Sequence, residues 1–187
     1  ASGVIPTSRP NAIPLAYNGN MEVSQRSTSV TGITAGSNGY HTLDRFAFKE
    51  GADPDAVFTM TQETLTSGNA YADGFNHALK MDVTTADGSL GGDDFVAIEQ
   101  RFERQDLGAF KKGTANAEKF TVAFWVKATK TGTNILELDD RTNDRAVSAT
   151  YTISTTDTWE HKVVSFPADT TGNFGTGNAV GLILRFY

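Results

Sequence analysis

The sequence predicts an all-β fold, an antiparallel β-sandwich of the jelly-roll kind. Three observations predict it. Apolar and polar residues alternate at period two in run after run, turn chemistry separates the runs, and helical periodicity is nearly absent. The alternation marks strands with one buried and one wet face. The 18 glycines supply the positive-φ positions that tight hairpins need. About ten short strands with regular punctuation are the pattern of a sandwich rather than of alternating strands and helices.

Taken in order, residues 1–14 hold three of the five prolines and show no periodicity, so they read as an extended arm or linker. The sandwich then spans 15–187. Phe58 and Met60 alternate with Thr59 and Thr61, and Leu79, Met81 and Val83 with Lys80, Asp82 and Thr84. Val96, Ile98, Gln100 and Phe102 form a further face, as do Phe120, Val122, Phe124 and Val126. Val147, Ala149, Tyr151 and Ile153 make another, and Val180, Leu182, Leu184 and Phe186 the last. Breakers fall at Asp53-Pro54, Ser67-Gly68-Asn69, Asp87-Gly88, Gly91-Gly92, Thr131-Gly132 and Gly172-Asn173. One short helical turn is expected at Gln105–Phe110. The strand Gly181–Tyr187 ends without a cap, so the chain is expected to be part of a longer protein, cut at the C-terminal end of the sandwich.

A length of 187 residues suits one domain. The net charge of −6, with both signs interspersed, argues against nucleic acid and anionic membranes. Lys111-Lys112 is read as a solvated turn. No apolar run approaches the ~18 residues of a membrane span, so no membrane insertion is expected. The absence of cysteine excludes disulfides, thiolate metal sites and a cysteine nucleophile. Ala1–Pro6 shows no signal-peptide pattern.

Three segments carry a family resemblance: Asn18-Gly19-Asn20-Met21-Glu22 with Gln25-Arg26, Tyr40-His41-Thr42-Leu43-Asp44-Arg45-Phe46, and Phe120–Ala128. Weaker matches are Thr84-Thr85-Ala86-Asp87, Tyr151-Thr152-Ile153, Thr158-Trp159-Glu160 and Gly177–Leu182. Together they resemble the carbohydrate-binding-module-like jelly-roll domains of tail-fibre, head-fibre and related surface proteins of tailed bacteriophages. The final Gly-rich stretch and last strand usual in that family are not present. The resemblance implies a virion surface component, a fibre, knob or capsid decoration module, assembled in the host cytoplasm and displayed on the particle. It also implies a non-catalytic domain, a homo-oligomer, and as partners other virion proteins and host surface glycans. No cofactor is required on this reading. Glu22 matches the acidic ligand of a structural Ca²⁺, an ion that takes several oxygens; pairing with Arg26 or Arg45 is the competing role.

For ligand contact the polar, Gly-rich loop Ser67–Asn76 is the candidate, with Tyr71, Asn69 and Asn76 as its binding residues. Tyr17, Tyr40 and Tyr187 are further aromatic platforms. Trp125 and Trp159 are read as packing residues. The doublets Asp93-Asp94 and Asp139-Asp140 do not suit glycoside hydrolysis. That chemistry needs carboxyls about 5–10 Å apart across a cleft, whereas neighbours on a strand point to opposite faces. His41, His77 and His161 lack metal-ligand spacing, and there is no Gly-x-Ser-x-Gly elbow. No catalytic residue is therefore assigned, and the chain is expected not to be an enzyme. A depolymerase is a further alternative, for which no active-site constellation is visible; two rival non-catalytic readings stand beside it. One is a purely structural assembly protein, held through Val30, Ile33 and Phe174. The other is a carbohydrate-binding accessory domain of a secreted hydrolase.

Overall fold

The structure, a computed structural model, describes residues 15–52 and 55–187. The expected arm and the Asp53-Pro54 breaker lie outside these residues. Ten strands follow in order: β1 (Ser29–Ile33), β2 (Ala47–Gly51), β3 (Val57–Thr64), β4 (His77–Thr85), β5 (Phe95–Glu103), β6 (Phe120–Val126), β7 (Gly132–Asp140), β8 (Arg145–Ile153), β9 (Glu160–Phe166) and β10 (Val180–Phe186). Every pairing between them is antiparallel. A five-stranded sheet runs β2-β5-β10-β7-β8, and opposite it stand a three-stranded sheet β1-β3-β4 and the pair β6-β9. The expected helical turn is a 3₁₀ segment, Arg104–Phe110. A second, unexpected one is the short helix α1 (Asn69–Ala72).

Alternation on β5 explains how the layers join. Its inner face presents Ile98 to one core, with Phe48, Phe58 and Met60, and Phe102 to the other, with Leu136, Phe166 and Leu184. Between the cores sits Gln100, only 1% exposed. Its amide accepts from Tyr17 N–H at 3.0 Å and donates to Tyr17 C=O at 2.9 Å, so the buried polar group is satisfied. Leu15 packs against the second core at the same entry.

Several expectations change. Ile33 and Phe174 are core residues and Val30 packs against the core, so they are not the exposed contacts that the assembly reading required. Val83 does not share the burial of Leu79 and Met81; it is 59% exposed near the end of β4. Lys112 is not a solvated turn residue but is buried. Trp125 and Trp159 belong to neither core.

Candidate functional site

The β6-β9 pair turns Phe120, Val122 and Phe124 inward, which puts Thr121, Ala123 and Trp125 on the outside. There Trp125 meets His161 of β9, ring centroids 5.2 Å apart. Two residues on, Lys127 carries its ammonium 5.3 Å above the ring of Trp159, a cation–π contact. Trp159 in turn supports the loop between β3 and β4. A Cβ added at Gly68 would lie 2.9 Å from Trp159 Cδ1, and Gly68 holds φ at +91°. The loop thus rests directly on the indole, and α1 rises from that point with Asn69 and Tyr71 exposed.

Of the tyrosines considered as platforms, Tyr71 has the most exposed side chain, at 44%. Arg45 covers the ring of Tyr17, whose hydroxyl donates to Asp106 at 2.6 Å. Arg26 lies over Tyr40, and Tyr187 packs edge-on against Phe95. Asn76 stands at the far end of the loop, its side chain 3.4 Å from Glu22 Oε1. Sequence reasoning singled out the loop but missed its contact with Trp159 and, over that ring, Lys127. The outward phase of Trp125 was readable from the alternation with Phe124 and Val126.

Glu22 pairs with neither Arg26 nor Arg45. Its Oε2 lies 3.0 Å from His77 Nδ1, while Arg26 bonds Asp44 at 3.2 Å. The Asn76 side-chain amide is the carboxylate's other neighbour, at 3.4 Å from Oε1. Among the described residues no group of three His, Cys, Asp or Glu side chains could hold a metal ion.

Two charge clusters lie elsewhere. On the outer face of the five-stranded sheet Arg185 bridges three carboxylates: Glu99 at 3.2 Å, Glu137 at 2.8 Å and Asp139 at 2.9 Å. Burial works against its charge, but Glu137 and Glu99 outweigh this and hold the guanidinium protonated. At the end of β7, Asp139 and its neighbour Asp140 point to opposite faces, as strand geometry requires.

Asp140 faces inward to Lys112, whose ammonium lies 2.8 Å from its Oδ2 and 3.1 Å from Asp169. The ammonium also donates to the carbonyls of Thr171 and Gly172, at 2.9 and 2.7 Å. Burial raises the Asp169 pKa, but the Thr171 amide and hydroxyl and the Lys112 ammonium prevail and bring it to about 2. Asp140 is lowered too: the ammonium and the Asn143 side chain and amide outweigh its burial. A cavity of about 340 Å³ opens beside this cluster, floored by Phe120, Leu138, Phe166 and Phe174.

No known protein family and no curated protein matches the chain. One solved structure that does is the crystal structure of the enzymatically active domain of tailspike protein 4 from bacteriophage CBA120. The TM-score is 0.42 and the identity 16%, over 76% of this chain and 18% of that one. The match corrects the expectation of a non-enzymatic protein, since the tailspike domain is enzymatically active; that expectation is withdrawn.

Proposed function

We propose that this chain is a surface protein of a tailed-bacteriophage virion, a fibre, knob or decoration module with jelly-roll connectivity. It contacts host surface glycans through the tip formed by α1 and Trp159. The observation that carries this reading is the seating of Gly68 on Trp159, with Lys127 over the indole and the Asn69 and Tyr71 side chains exposed on the turn that follows. Indole and phenol rings offer flat apolar faces to the C–H surfaces of a sugar ring. Asn69 and Lys127 stand beside them as donors for its hydroxyls. The ordered segments that resemble phage surface domains support the setting, and many weak tips on one particle would act by avidity.

The test is retention of the domain, displayed multivalently, on purified host envelope polysaccharide. Tyr71→Ala and Trp159→Ala each weaken binding about tenfold or more, equivalent to about 1.4 kcal/mol or above. Assay of new reducing ends in the same tubes separates holding a glycan from cleaving it. Full binding by both variants removes the tip as the contact surface.

A further inference from the structure

The five-stranded sheet ends at β8, which pairs along all nine residues with β7 in unbroken register. Its other edge has no backbone partner among the described residues. Natural edge strands are usually shortened, bulged or charged, which prevents unwanted strand addition. Here β1 has a register break and β2 is five residues long with Lys49 at its centre. β4 carries Lys80 and Asp82, and β9 carries Glu160 and Lys162. β8 has none of these devices, for its one charge is Arg145 at the very start. Of the other uncharged edges, β1 is the one with the register break, and β6 is shorter, exposing only Thr121 and Ala123. β8 instead exposes Ala146, Val147, Ser148, Thr150 and Thr152. Beneath its Arg145 end the cavity of about 340 Å³ opens, with Val147, itself 41% exposed, on the rim.

We propose that β8 docks a second copy of this chain, strand to strand and antiparallel about a two-fold axis at Ala149. The five-stranded sheets of two copies then form one continuous sheet. The sequence of β8 is self-complementary in this register. Ala149 meets its own counterpart, so the closest approach falls on the smallest side chain. On the inner face Val147 of each copy lies opposite Tyr151 of the other, an aromatic–β-branched pair of the kind that stabilises sheets. On the outer face Ser148 lies opposite Thr150, hydroxyl against hydroxyl. No like charges are opposed, because Arg145 falls opposite Ile153. The interface is isologous, so association stops at two copies.

Sedimentation of the purified chain over a concentration series tests this. The wild type is expected to pass from monomer to dimer. Ser148→Lys with Thr150→Lys sets lysines opposite each other in both halves of the interface and is expected to leave a monomer with unchanged circular dichroism and melting temperature. Ser148→Glu with Thr150→Lys places each new carboxylate opposite a new ammonium and is expected to restore the dimer. A wild type that stays monomeric, or forms a trimer, overturns the proposal. So does a lysine pair that associates as the wild type does.

Discussion

Lys112 shows how far one side chain can depart from its local sequence. Beside Lys111 it reads as half of a solvated basic turn, yet its ammonium is enclosed by two carboxylates and two carbonyls. Glycine at 113 allows this, since a Cβ there would meet the backbone of Gly172 and Asn173 at 2.9 Å. Removing one member of a buried pair strands the other charge. Lys112→Met is therefore expected to cost about 3–5 kcal/mol, read from urea unfolding. An effect below about 1 kcal/mol would mean that water replaces the ammonium at Asp140.

Among the elements, the loop carrying α1 depends most on a single contact. Gly68 has a positive φ and touches Trp159, so Gly68→Ala both strains the backbone and pushes the loop off the indole. Expected are a loss of about 1–2 kcal/mol in stability and altered tryptophan fluorescence, with the strands unchanged by far-UV circular dichroism. The strands themselves were legible wherever alternation is clean, as in β5, β6, β8 and β10. It is not clean in β7, where Ile135 sits beside Leu136 and Asp139 beside Asp140. In β2 the inward Glu50 is buried and bonded to Gly36 N–H and Asn38 Nδ2, at 3.0 and 2.8 Å; a polar residue at a core position hides the period. The loop between β3 and β4 was legible as polar and Gly-rich. Its seat on Trp159 was not, because the contact joins distant segments and no local period encodes it.

For the molecule as a whole, these clusters set an acid limit. Asp169 and Asp140 have folded-state pKa values below the ordinary carboxylate value, that of Asp169 at about 2. The native state therefore binds fewer protons than the unfolded chain in this range, and stability rises with pH there. Their contribution is complete above about pH 4 and is lost as pH falls through about 2. A melting temperature that declines across this window is expected, with a shallower decline in Lys112→Met. A flat profile would show that neither carboxylate is linked to folding. Because β5 serves both cores, damage at the ammonium cluster should reach the Phe48 core through the shared sheet.

The cluster at Lys112 also bears on where such a molecule can work. Many proteins pin a loop crossing of this kind with a borrowed ion, and lose the pin when the ion is sequestered or washed away. Here the cation is tethered by the chain's own covalent bonds, so its local supply never runs out. This corner of the fold keeps its counter-charge in fresh water, in brine or beside a chelating polysaccharide, whatever medium surrounds it.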